Sequence, residues 1–187
     1  TLQADLLVGA DGFRSFVRRQ VFKPEEACLQ PLGYYFSVYD VAAPKAFDTD
    51  FLSYAEPGHL AEYYALHDGR LAAMHVWRDD RPGLEKQQDR VKLLNDVSAK
   101  SHPQVRELLN QTGGDDGGGG DPVVIDSLTM VDLPQWSKGR VILLGDAAHC
   151  PTLISGQRAR MALASADTLG QALHLSPDPS SSPASHV

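Results

Sequence analysis

Apolar positions change their rhythm several times along the chain. Residues 4–8, ADLLV, form a short unbroken apolar run closed by Gly9-Ala10-Asp11-Gly12, the pattern of a buried parallel strand feeding a turn. Residues 15–22, SFVRRQVF, then place Phe16, Val17, Val21 and Phe22 as the apolar side of a short helix, and Pro24 and Pro31 bracket a connector. From Leu32 the period shortens. LGYYFSVYDV, DFLSYAE and HLAEYYALHDGRLAAMHVW are rich in Tyr, Phe and Val, which predicts an antiparallel sheet of about four strands over 32–78. Asp68-Gly69, lying between two such runs, is a strong hairpin signal.

Helical spacing returns with Leu84, Val91, Leu94 and Val97 over 84–98, and again with Val105, Leu108 and Leu109 over 103–111. GGDDGGGGD at 113–121 predicts a flexible surface loop, because successive glycines lose the most freedom on ordering. VVIDSLTMVDL at 123–133 reads as a strand, and 141–144 as a buried strand. Residues 158–173 read as a helix anchored by Met161, Leu169 and Leu173, and the Pro/Ser-rich residues 176–187 as a disordered tail. The outer pieces, 1–31 and 123–175, therefore look like halves of one α/β layer. A domain of antiparallel sheet and helices, 32–122, is inserted between them.

Composition narrows the partners. With 187 residues the chain holds one ordinary domain or two small ones, and its 42% hydrophobic and 22% charged residues are normal for a globular protein. A net charge of −7 argues against nucleic acid or an anionic membrane surface. No apolar run reaches the roughly 18 residues of a membrane span. TLQADLLVGADG has neither the basic region nor the cleavage pattern of a signal peptide. It also lacks a starting Met and opens almost directly on a strand, which suggests a fragment. Cys28 and Cys150 fit neither a disulfide framework nor a zinc site, so a reducing, cytoplasmic setting with unpaired structural thiols is expected.

The chemistry concentrates in GRVILLGDAAHCPTLISGQRARMAL, from Gly139 onward. Leu144-Gly145-Asp146 brings a carboxylate off the end of a buried strand, the edge where open α/β sheets bind ligands. An ionised carboxylate only accepts hydrogen bonds, so Asp146 suits ligand hydroxyls, and Ala147 and Ala148 permit close backbone approach. Ser155-Gly156-Gln157 opens a helix whose first amides favour a partly negative group by roughly 0.3 to 1 kcal/mol. A polyol joined to a ring that gains negative charge fits both turns. Taken alone, Gly-Asp after a strand is often only a turn, and metal hydrolysis by Asp146 and His149 lacks further ligands at suitable spacing.

ADLLVGADGFRSFVR at 4–18, followed by WSKGRVILLGDAAHC at 136–150, resembles the paired signatures of FAD-dependent aromatic monooxygenases of the para-hydroxybenzoate hydroxylase-like class. The resemblance covers nearly the whole chain. It implies an α/β fold: a partial FAD-binding, Rossmann-like, three-layer ββα domain with an inserted antiparallel-sheet substrate domain. It also implies FAD as cofactor, NADH or NADPH as reductant, and an aromatic or polyketide-like small molecule as substrate. Gly145 and Asp146 would meet the ribitol. Gly156, Gln157 and Arg158, with the helix amides from Ala159, would flank the flavin pyrimidine edge. Asp11, Gly12 and Arg18 would support the pyrophosphate region and the approach of the nicotinamide, with Ser15 capping or packing that turn. The chemistry would be flavin reduction, oxygen capture and hydroxyl transfer to an electron-rich carbon, with no protein nucleophile and no metal. His149 would pack or hydrogen-bond. Of Tyr34, Tyr35, Phe36, Tyr54, Tyr63, Tyr64 and Trp77, most would fill the sheet's core and some would line a substrate pocket.

The sequence departs from that family's pattern. No G-x-G-x-x-G occurs, and the glycines at 117–120 lack a strand and helix around them, so weak FAD binding by the chain alone is expected. Arg158 stands where a glycine is usual, and Leu153 where a proline is common. A side chain at 158 is expected to crowd the ring or strain the backbone. These departures leave two alternatives beside a monooxygenase: a non-catalytic truncated remnant, and a reductase of the same fold.

Overall fold

A computed structural model of the protein describes residues 3–22, 27–44, 47–112 and 123–175. The glycine-rich loop expected at 113–121 and the tail at 176–187 lie outside the described residues. The chain divides into two compact units, Thr1–Leu32 with Thr129–Val187, and Gly33–Leu128.

In the first unit, β1 (Leu7–Gly9) and β8 (Val141–Leu143) pair in parallel, with Leu7 opposite Val141 and Gly9 opposite Leu143. The short β7 (Ser137–Lys138) adds an antiparallel neighbour, giving the order β1-β8-β7. The parallel strand expected at 4–8 is present, but Leu7 and Val8 are 48% and 39% exposed rather than buried. The reason is position: β1 is the edge strand of the described sheet. A Cβ at Gly9 would meet Leu143 at 2.7 Å and Val17 at 3.0 Å, so only glycine lets helix α1 (Phe16–Val21) lie this close to the strand pair. Cys28, Val131, Leu133, Leu143, Ala147, Ala148 and Cys150 form the core, with both cysteines buried. Helix α4 (Arg158–Leu175) follows the two turns described below.

The second unit is built on a sheet ordered β3-β4-β5-β2-β6. Its strands are β2 (Leu29–Ala42), β3 (Phe51–Glu56), β4 (His59–Ala65), β5 (Arg70–Arg78) and β6 (Val124–Val131). The four expected antiparallel strands form, and Gly69 turns the β4–β5 hairpin at φ 80°. The strand read at 123–133, assigned with the outer α/β layer, instead joins this sheet beside β2, with Ile125 in its core. The boundary between units therefore falls after Leu128. Alternation sorts the aromatics by face. Tyr35, Tyr39, Tyr63 and Trp77 are buried, while Tyr34, Val38, Phe51 and Tyr64 are exposed.

Helices α2 (Arg90–Val97) and α3 (Pro103–Thr112) supply Leu93, Leu94, Val105, Leu108 and Leu109 to the same core. Each fully buried Leu contributes about 1.5–3 kcal/mol. The single helix read over 84–98 is interrupted. Leu84–Lys86 is a 3₁₀ turn, and α2 starts afresh because the Asp89 carboxylate accepts the Lys92 amide at 2.8 Å.

Candidate functional site

The Leu144 amide makes the last ladder bond of β8, to the Gly9 carbonyl at 3.0 Å. Gly145 then adopts φ 57°, a left-handed value, and a Cβ there would press on Ala162 of α4 at 3.3 Å. Its carbonyl accepts the Ala148 and His149 amides at 3.0 and 2.9 Å, closing the 3₁₀ turn Gly145–Ala147. This turn delivers Asp146 to the carboxyl end of β8 with a side chain 28% exposed.

The second turn, Leu153–Ser155, ends at Gly156 with φ 62° and leads directly into α4. The Ser155 hydroxyl donates to the Thr152 carbonyl at 2.7 Å and accepts the Gln157 amide at 3.2 Å. Gly156, Gln157, Ala159 and Arg160 are exposed, and α4 carries no acidic residue in its first turn. The first amides of a helix lack intrahelical partners, so this positive terminus is open to a partly negative group.

Arg158, the first residue of α4, lies across this gap. Its Nη2 bonds Asp146 Oδ2 and its Nε lies 3.4 Å from Oδ1, with side-chain exposures of 32% and 28%. Partial burial opposes the guanidinium charge, but the Asp146 and Cys150 contacts outweigh it and raise its pKa. Burial pushes the Cys150 thiol up, with Arg158 pulling the other way. Sequence reasoning singled out both Asp146 and Arg158 but missed their pairing. They are 12 residues apart, outside any local pairing distance, and only the two consecutive turns bring them together.

Asp11 and Arg18 are turned to structural work. The Asp11 carboxylate accepts the Ser15 hydroxyl at 2.5 Å and the Phe16 and Val17 amides at 2.7 and 3.1 Å. Its slight burial raises the pKa, but these bonds outweigh that and hold it below the ordinary carboxylate value. Ser15 is the N-cap of α1, accepting the Arg18 amide at 3.0 Å. Arg18 is fully buried, donating from Nη1 to the Ala147 carbonyl at 2.9 Å and from Nη2 to the Phe13 carbonyl at 2.5 Å. It joins the Asp11–Ser15 turn to the Asp146 turn and presents no surface of its own to a ligand. Gly12, at φ 80°, lies in the first of these turns.

His149 is 8% exposed, with its ring 4.8 Å from that of Trp136 and no partner for Nδ1. It is a packed side chain. A cleft of about 360 Å³ lined by Leu133, Trp136, Leu144, Thr168 and Leu169 holds none of the residues singled out above. Among the described residues no three His, Cys, Asp or Glu side chains converge on a metal position, and no helix is long and apolar enough to cross a membrane. A polyol joined to an electron-accepting ring fits the open helix terminus and the glycine-lined approach. Asp146, the carboxylate nearest that terminus, is held by Arg158.

Comparison with known proteins bears on what that group is. Residues 1–176 match the family described as FAD binding domain. A flavin-dependent monooxygenase of Legionella longbeachae serogroup 1 (strain NSW150) is 27% identical over 171 residues, 88% of this chain and 42% of that protein. The aurachin C monooxygenase/isomerase of Stigmatella aurantiaca is 30% identical over 173 residues, 92% of this chain and 43% of that protein. A crystal structure of a Klebsiella pneumoniae HpxO variant complexed with FAD superposes with a TM-score of 0.72 at 25% identity, over 92% of this chain and 44% of that one. The chain thus spans a little under half the length of these relatives. The match running from the Asp11 turn through α4, on a fold shared with an FAD-bound relative, means that the chain belongs to the FAD-binding-domain family of flavin-dependent monooxygenases.

Proposed function

We propose that this chain forms the ring and polyol half of an FAD site in a monooxygenase that uses NADH or NADPH and O2 to hydroxylate an aromatic or polyketide-like small molecule. The observation carrying this reading is the juxtaposition of Asp146, at the carboxyl end of β8, with the open amides at the start of α4. When bound, FAD supplies hydride acceptance and oxygen activation.

The chain's own residues bind and orient. Asp146 accepts hydrogen bonds from the polyol hydroxyls. The amides from Gln157 to Arg160 lie at the positive end of α4, where they stabilise negative charge on the ring's pyrimidine edge. Gly145 lets its turn pack against Ala162 of α4, and Gly156 leaves open space beside the start of that helix. Arg18 holds the Asp146 turn against the Asp11 turn, and so acts through backbone carbonyls. In the second unit, the sheet face away from α2 and α3 carries Tyr34, Phe36, Val38, Leu60, Met74 and Tyr64. The same face also carries Asp40, Glu62 and Arg70, so it offers apolar surface for a flat substrate beside charged groups able to orient a polar substituent.

The test is oxygen uptake by the purified chain supplied with FAD, NADH or NADPH and a panel of phenols and related aromatics, using isotopically labelled dioxygen. A product carrying one labelled oxygen atom is expected. Pyridine-nucleotide oxidation with no labelled product would assign a reductase instead.

A further inference from the structure

The Arg158–Asp146 pair has a function beyond filling a glycine position. A carboxylate offers about four lone-pair sites, and a guanidinium set against both oxygens takes the two that face it. Arg158 and Arg160 lie at the N-terminal end of α4, where the helix dipole disfavours cations, and no acidic residue of that turn compensates them. Asp146, on the preceding turn, is the anion that holds Arg158 there. Both side chains are about a third exposed, so the contact is reachable by water and by a competing ligand. Arg158 also touches the Cys150 thiol, which leaves it packed in a defined place rather than free in solvent.

The geometry points to Arg158 as an internal latch on the polyol site: its guanidinium competes with ligand hydroxyls for Asp146, and a flavin polyol gains the full acceptor capacity of that carboxylate by displacing it. This rests on the reading that a flavin polyol meets Asp146. It adds that the chain regulates that contact itself, through a residue whose removal tightens binding. Displacement is favoured by whatever weakens the ion pair, ionic strength above all, because screening shortens from about 30 Å at 0.01 M salt to about 3 Å at 1 M.

Riboflavin is the probe, since it carries the ring and polyol without the adenosine half. Quenching of its fluorescence is titrated at about 0.01 M and about 1 M salt. The proteins compared are the native chain, Arg158→Gln, Arg158→Gly, and Arg158→Gly combined with Asp146→Ala. The Gln variant removes the charge but keeps an unbranched stem of similar helix propensity, so a gain seen there does not depend on glycine's backbone freedom. The latch requires the native chain to bind several-fold tighter at high salt. Both single variants should bind about tenfold tighter than the native chain at low salt, with little salt dependence, and the double variant should lose that gain. Equal affinities in the native chain and Arg158→Gln would overturn the latch and leave the flavin site standing. Weaker binding by Arg158→Gln would overturn it by making Arg158 a ligand. If no variant quenches riboflavin and none is stabilised by it in a melt, the flavin reading fails together with the latch.

Discussion

Arg18 shows how far a motif residue can be from the role its motif suggests. It is among the largest fully buried side chains, and it donates to carbonyls at Phe13 and at Ala147, 129 positions away. Replacing it by Met leaves one buried and one part-buried carbonyl without their charged donor, at about 1.5–3 kcal/mol each, so Arg18→Met should cost about 3–6 kcal/mol. Arg18→Lys should recover little, because one ammonium cannot reproduce a planar fork reaching two acceptors. Urea unfolding checks this, and an Arg18→Met chain as stable as the parent would remove the staple from the account. Asp11→Ala, which deletes the acceptor for two α1 amides, should cost about 1 kcal/mol on the same assay. Asp146 stood out in the sequence through the paired signatures at 4–18 and 136–150, not through the carboxylate alone, since Gly-Asp after a strand is often only a turn. The inward turn of Arg18 and Asp11 was not, since burial of a charge depends on partners distant in sequence. Arg158 stood out in the sequence as a departure expected to strain the backbone; the structure instead places it in regular helix at the start of α4, gripping Asp146.

At the scale of elements, the five-stranded sheet carries a buried polar chain that its alternation pattern does not reveal. His75 of β5 has Nε2 2.9 Å from the Tyr39 hydroxyl and 3.3 Å from that of Tyr63, and its Nδ1 lies 3.1 Å from His59 Nε2. His59 Nδ1 in turn lies 2.7 Å from the Ser101 hydroxyl, and Glu56 accepts the His102 amide at 3.0 Å. Burial, with His59 alongside, pulls the His75 pKa down to about 3. Burial also lowers His59, with Glu56 opposing. A lowered folded pKa means the fold holds these imidazoles neutral. Above the unfolded value of about 6.5 this costs nothing. Below it the unfolded chain gains protons that the folded chain refuses, and stability falls by about 1.4 kcal/mol per pH unit for each histidine held neutral. Urea midpoints should therefore decline as pH drops from about 6.5 toward 4.5, and His75→Gln should flatten the slope by about one proton. An unchanged slope in that variant would place the acid sensitivity elsewhere. Strand existence and the Asp68-Gly69 hairpin followed from local pattern, whereas the choice of face for Tyr34 against Tyr35 needed the register. The break before α2 also had a local signal, Asp89, masked by the apolar spacing around it.

At the scale of the whole molecule, the first unit is made of two segments interrupted by the second, so the parallel pair β1–β8 closes only across a loop of about 130 residues, from Gly9 to Val141. That discontinuity was legible because the two ends carry matching strand-and-turn signatures. The assignment of β6 was not, because a strand's pattern does not name its neighbour. The same organisation bears on which part of FAD the chain grips. In the proposed site Asp146 and the start of α4 would address the polyol and ring, and the sequence of residues 1–187 contains no G-x-G-x-x-G to cradle a pyrophosphate. FAD and riboflavin should therefore bind the purified chain with dissociation constants within about tenfold of each other, a difference below about 1.4 kcal/mol. FAD should raise the melting temperature only at concentrations well above that constant. Titration of both flavins, followed by fluorescence and melting together, decides the matter. An FAD constant a thousandfold lower than that of riboflavin, about 4 kcal/mol, would mean that other residues of this chain hold the adenosine diphosphate half, with Arg160 and the Asp11–Ser15 turn the first to be substituted.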